Sequence, residues 1–217
     1  MNNWEMCTQE PSNFNYHFES RNVLAKEIPS SIFNWLRQAC FDARGNKPAN
    51  RSLVGHIKEE YFIEKGSTEF TDYITNSCLQ EPILSDHLKD LEILTEDRPF
   101  IISPLWCNFQ KKYEYNPPHT HSGVFSFVIF IQIPYDLNDE QEIYKDVREG
   151  QGNQFAARFA FLNPDYRGRI ATDPIPVDKS FEGKIFMFPS KQVHQVFPFY
   201  TSDEYRITVS GNLKLKV

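Results

Sequence analysis

The 217-residue sequence predicts an α+β protein in which an N-terminal helical layer packs on a C-terminal β-sandwich or barrel. Three observations lead there. Helical periodicity is confined to the residues before Pro99, whereas short β-type runs follow one another closely after it. Ser126–Pro134 (SFVIFIQIP) is a nearly unbroken apolar run, rich in β-branched and aromatic residues, as expected of a strand covered on both faces. Fourteen prolines and an aromatic content of 15% suit a turn-rich β protein better than a helical bundle.

The elements follow in order. Residues 1–28 read as an irregular or strand-like arm, in which Asn13 to Phe18 alternates polar and aromatic residues like an edge strand. Ile32, Trp35, Leu36 and Ala39 recur at helical spacing, with Ser30 or Ser31 as N-cap and Gly45-Asn46-Lys47-Pro48 as the stop. Residues 50–61 (NRSLVGHIKEEY) are mixed in charge and read as a loop; with Gly55 and Gly66, residues 50–66 are candidates for a lid. A second helical region covers Glu69 to Leu94, broken near Pro82. Its stripes are Phe70, Tyr73, Ile74 and Cys78, then Leu84, Leu88 and Leu91.

Strands are predicted at 100–109, 126–134, 154–163, 183–189, 194–199 and 204–216, with 169–177 interrupted by Pro174 and Pro176. Tyr135 to Gly150 is acidic and polar, so a surface loop or short helix is expected. No repeat or linker is visible. One domain is expected over 1–217, with 1–98 as mainly helical and loop support and 99–217 as the β core.

Composition excludes several roles. Net charge is −6 and no run of five or more basic residues occurs, which argues against nucleic acid as the main partner. The strongest apolar run is about half the length of a membrane-spanning helix, and the N-terminus carries no leader pattern. Cys7, Cys40, Cys78 and Cys107 are dispersed, as free buried thiols in a reducing cytoplasm would be. Oligomeric state is not legible.

The chemistry concentrates in Asn116-Pro117-Pro118-His119-Thr120-His121-Ser122-Gly123. In extended chain, His119 and His121 point to the same side. His194 follows a glycine-launched, proline-stopped strand, and imidazoles from two strands can converge on one transition metal. On the last strand Arg206, Thr208, Ser210 and Asn212 share one face, opposite Ile207 and Val209. A buried arginine there needs an anion, and its fork of donors matches a carboxylate; Glu204 or Asp203 is the alternative partner within the protein.

These residues resemble the Fe(II)/2-oxoglutarate-dependent oxygenases, and specifically those found in bacteriophage genomes. The resembling pieces are 105–108 (LWCN), 116–123, 126–128, 183–194 and 205–212, with 50–61 also similar to the phage proteins. The resemblance implies a double-stranded β-helix (a jelly roll, cupin-like) with a packed N-terminal helical layer. It implies Fe(II) held by His119, His121 and His194, and 2-oxoglutarate held by Arg206 and Thr208, with Asn108 and Ser126 as weaker candidates. One departure stands out, because the family's usual carboxylate ligand falls on His121. The implied activity is hydroxylation of an unidentified small-molecule or peptide substrate with molecular oxygen. Two alternatives remain: a three-histidine cupin-type dioxygenase that does not use 2-oxoglutarate, and a non-catalytic jelly-roll binding protein.

Overall fold

The structure is a computed structural model that describes residues 22–91, 100–143, 146 and 155–216. Asn13 to Phe18, Cys7 and the end of the second helical region past Leu91 lie outside the described residues.

Helix α1 (Ser30–Ala43) buries Ile32, Leu36, Cys40 and Ala43, one face of a 3.6-residue period. The expected serine cap is not used. Pro29 occupies the cap position, and the Ser31 hydroxyl donates instead to Glu69 at 2.6 Å. Helix α2 (Thr68–Asp72) is capped by Ser67, whose side chain accepts from the Phe70 N–H, and continues into a π-helical turn over Tyr73–Cys78. Helix α3 (Pro82–Asp90) starts at the proline, where a missing N–H costs nothing. It buries Leu84 and Leu88, but Leu91 falls at its C-cap and is half exposed, so the expected stripe stops one turn early.

Among the described residues, ten strands form two antiparallel sheets. The larger runs in the order β1 (Leu24–Glu27), β8 (Lys184–Pro189), β5 (Phe125–Gln132), β10 (Arg206–Leu215), β3 (Phe100–Gln110), β2 (Glu59–Phe62). The smaller runs β4 (Asn116–His119), β9 (His194–Val196), β6 (Phe159–Pro164), β7 (Ile170–Ile175). The N-terminal part is therefore more than helical support, since it supplies both edge strands of the larger sheet.

Other expectations shift too. The second half of the candidate lid is strand β2, paired with β3 from Glu59 to Phe62. Strand β6 begins at Phe159, because residues 156–157 form a turn with Ala157 at φ 60°. Pro174 lies inside β7, an edge strand, where the lost donor is tolerated. The expected surface segment after residue 135 contains helix α4 (Leu137–Glu142), yet Tyr135 and Glu140 are buried. The Glu140 carboxylate accepts from the Tyr200 and Thr201 backbone N–H groups at 2.8 Å, which satisfies it inside the fold.

Period-two alternation divides the larger sheet into two faces. Phe125, Phe127, Ile129, Ile185, Met187, Ile207, Val209, Cys107 and Phe109 pack against the helices. From the intervening positions, Val128, Phe130, Phe186 and Phe188 pack against Phe159, Phe161 and Ile175 of the smaller sheet. Phe70 joins the helical layer to the sheet, with ring centroids 5.4 Å from Trp35 and 5.9 Å from Phe127. Phe70→Ala is expected to destabilise the protein by roughly 3–5 kcal/mol, read as a lower urea midpoint at unchanged slope. An unchanged midpoint would show that the helical layer is not coupled to the sheet.

Candidate functional site

The site lies between the two sheets, in a cavity of about 370 Å³ lined by residues of both. Its first wall follows from strand register. His119 at the end of β4 pairs directly with His194 at the start of β9. His121 lies two residues past His119, where its backbone N–H donates to the Ser190 carbonyl at 2.8 Å. The Ser190 hydroxyl donates back to the Gly123 carbonyl, tying this turn to the end of β8. Gly123 has φ 93°, and a Cβ there would stand 2.4 Å from the Leu213 carbonyl oxygen, so only glycine fits the turn.

The three imidazoles converge, with one nitrogen from each lying within 4.8 Å of the others. The His121 and His194 Nε2 atoms are 3.2 Å apart. His119 Nδ1 lies 2.7 Å from the Pro117 carbonyl oxygen, and His194 Nδ1 lies 3.0 Å from that of Gln192. A carbonyl only accepts, so each Nδ1 carries the proton and each Nε2 lone pair is left for the centre. Burial holds all three rings neutral. It lowers His119 despite the Pro117 bond. It lowers His121 to about 3, helped by His119 and Lys191. It lowers His194 well below the usual histidine range, with repulsion from its two neighbours. His194 is packed among Phe159, Phe188 and Phe161, and Trp106 flanks His121 with ring centroids 5.7 Å apart.

No carboxylate joins this group among the described residues. The nearby acids in sequence are engaged elsewhere. Glu114 accepts from the Lys58 and Lys111 backbone N–H groups, and Asp136 accepts from that of Asn138.

The second wall is the polar face of β10. Arg206, Thr208, Ser210 and Asn212 all line the cavity. Arg206 is 2% exposed. It does not pair with Asp203, which binds Lys112 instead. Its hydrogen bonds go to Gln110 Oε1 (2.6 and 3.0 Å), Tyr135 Oη (3.0 Å), and the Phe197 and Ala157 carbonyls (3.0 and 3.3 Å). Every one of these acceptors is neutral. The guanidinium is thus held in place, while among the described residues its charge has no carboxylate partner.

Asn108 lines the cavity and donates to the Thr208 hydroxyl at 3.2 Å. Ser126 does not line it, because its hydroxyl donates to Asn212 Oδ1 at 2.8 Å and Asn212 forms the wall instead. Trp106 also lines the cavity, whereas Tyr115 does not and stacks on His56. That stack and a 2.8 Å bond from the His56 N–H to the Tyr115 carbonyl anchor the chain next to residues 52–55, which line the cavity. Sequence reasoning missed Gln110, Tyr135 and Glu60. No local signal marked them: Gln110 meets Arg206 only through sheet register, and Glu60 is the one buried position of a four-residue edge strand.

The sequence pattern of the family described as "Putative 2OG-Fe(II) oxygenase" matches residues 104–212, just over half of the chain. The fold is similar to that of a Pseudomonas putida prolyl-4-hydroxylase, with TM-score 0.54 and 14% identity over 91% of this chain and 95% of that one. It is also similar to a viral collagen prolyl hydroxylase from Paramecium Bursaria Chlorella virus-1, solved as a 2OG complex. There the TM-score is 0.51 and the identity 9%, over 92% of this chain and 98% of that one. No curated protein sequence matches the chain. Among the described residues no helix is long and apolar enough to cross a membrane. The matched span contains the three converging histidines and Arg206, and the chain belongs to the 2OG-Fe(II) oxygenase family, as a 2-oxoglutarate-dependent dioxygenase that uses Fe(II) on a jelly-roll fold.

Proposed function

We propose that His119, His121 and His194 hold the Fe(II), and that Arg206 and Thr208 hold the far carboxylate of 2-oxoglutarate. The observation that carries this reading is the convergence of three neutral imidazoles in one cavity with an arginine whose partners are all uncharged. The donor set suits the ion. Imidazole nitrogen is a good ligand for Fe(II), and the backbone carbonyls behind His119 and His194 fix the tautomer that exposes Nε2. His121 stands where relatives carry a carboxylate, so the protein contributes no negative charge to the iron, and the dianionic cosubstrate supplies it.

Bound Fe(II), with 2-oxoglutarate and O2, supplies oxidative decarboxylation coupled to substrate oxidation, and the protein supplies orientation and a dry site. Gln110 receives two guanidinium bonds while its amide nitrogen donates to the Glu114 carbonyl, which orients the head of Arg206, and a bound carboxylate would displace a neutral acceptor such as the Ala157 carbonyl at 3.3 Å. Thr208 places a hydroxyl beside it on the same face, with Asn108 already donating to that oxygen, which leaves the hydroxyl proton free to be given. Phe159, Phe161 and Phe188 keep water from the rear of His194.

The product is a hydroxylated small molecule or peptide. The buried, free Cys40, Cys78 and Cys107 fit a reducing compartment such as the cytoplasm. The likeness to bacteriophage proteins rests on the sequence motifs alone.

Anaerobic Fe(II) followed by 2-oxoglutarate is expected to give a visible metal-to-ligand charge-transfer band. Arg206→Ala should raise the 2-oxoglutarate Kd at least about 30-fold, the equivalent of the roughly 2 kcal/mol lost when one partner of a buried charged pair is removed. Unchanged 2-oxoglutarate affinity would dismiss Arg206 as the anchor. His121→Ala should weaken Fe(II) binding by more than the roughly 10–100-fold typical of losing an outer-sphere partner. Intact Fe(II) affinity in equilibrium dialysis would show that His121 is not a ligand.

A further inference from the structure

The cavity has a third wall that the iron and 2-oxoglutarate do not use, and it consists of acceptors. Glu60 on β2 is 1% exposed and lines the cavity. It pairs directly with Asn108 on β3, which is 6% exposed. Asn116 on β4 faces them from the smaller sheet. Asn108 Oδ1 and Asn116 Oδ1 are both buried without a hydrogen-bond donor. Glu60 Oε2 receives a single long bond, 3.3 Å from the neutral amide of Asn50.

Two of these oxygens meet at Gly55. A Cβ there would lie 2.3 Å from Asn116 Oδ1 and 3.0 Å from Glu60 Oε1, so the two acceptors stand side by side against the loop because residue 55 carries no side chain. A buried acceptor left unpaired costs about 1–3 kcal/mol, and a carboxylate costs more. Two unpaired amide oxygens and a carboxylate with one long bond line the same cavity, and among the described residues no ion pair engages Glu60, so together they define the complement of a group that carries several N–H donors and a positive charge. Burial and then the nearby Glu114 lift Glu60 to about 7, in keeping with a carboxyl that no protein cation offsets.

We propose that the substrate carries a guanidinium or ammonium group bound by Glu60, Asn108 Oδ1 and Asn116 Oδ1, with Glu60 as the residue that sets specificity. This rests on the oxygenase reading of the same cavity. That reading leaves this wall free, because the cosubstrate is assigned to the Arg206–Thr208 face. Ser52, Leu53 and Val54 also line the cavity and offer apolar and small contacts to an alkyl stem behind the cationic head.

The test uses the full chain loaded anaerobically with Fe(II) and 2-oxoglutarate, and titrates butylguanidinium, butylammonium and neutral butylurea by calorimetry. At least one cation is expected to bind ten or more times tighter than butylurea, by the order of magnitude that one charged hydrogen-bonded contact confers, and the tighter of the two cations identifies the group. The isosteric Glu60→Gln should erase that preference while the charge-transfer band still forms. Asn116→Ala should weaken the preferred cation several-fold. Equal binding of butylurea, no binding of either cation, or a preference that survives in Glu60→Gln would overturn the proposal. A missing band in the wild type would instead sink the metal and cosubstrate assignment, so the two failures are distinguishable.

Discussion

The structure depends on the strict two-residue alternation of the strands at the centre of the larger sheet. On β10, Ile207 and Val209 face the helices while Arg206, Thr208, Ser210 and Asn212 face the cavity. Neighbouring β3 does the same with Cys107 and Phe109 against Trp106, Asn108 and Gln110. A one-residue slip would put Arg206 into the apolar layer beside Phe109, and would turn Ile207 and Val209 into the site. The burial that holds the helices on the sheet therefore also fixes the register of the cavity wall.

The smaller sheet adds the metal-type corner by the same means. Pairing of His119 with His194 is a cross-strand contact, and the double proline before it leaves β4 few ladder bonds of its own. Placement then depends on the turn at 121–123, held by Ser190 and by Gly123 against the Leu213 carbonyl. Leu213 is a residue of β10, so the two walls of the cavity are joined at this point. The electrostatics are divided along the cavity. Three imidazoles made neutral by burial lie in one corner, a guanidinium with uncharged partners in another, and an acceptor wall at Glu60 in a third.

The main elements were legible because their signals are local. The helical face of α1, the doubly buried β5 and the two faces of β10 each follow from side-chain period alone. The histidines were legible as a group because His-X-His and a third histidine after a strand are few enough in this chain to be set side by side. What was missed depends on contacts distant in sequence. Tyr135 and Glu140 read as surface residues because their segment is polar. In the fold, Tyr135 accepts from Arg206, 71 residues later, and Glu140 binds backbone N–H groups 60 residues on. Residues 59–62 read as part of a lid because an edge strand of four residues carries too little pattern to be seen.

The sequence by itself determined the order of helices before strands, which face of each long strand is apolar, and which side chains could bind a metal or an anion. Those properties belong to composition and spacing along one chain. Tertiary structure alone decided that His121 turns inward with the other two histidines, that Asn212 rather than Ser126 forms the wall, and that Arg206 meets only neutral oxygens. It also brought Glu60, Asn108 and Asn116 together from three strands. Such convergence is set by sheet order and register, and no local period encodes the distance between strands remote in sequence.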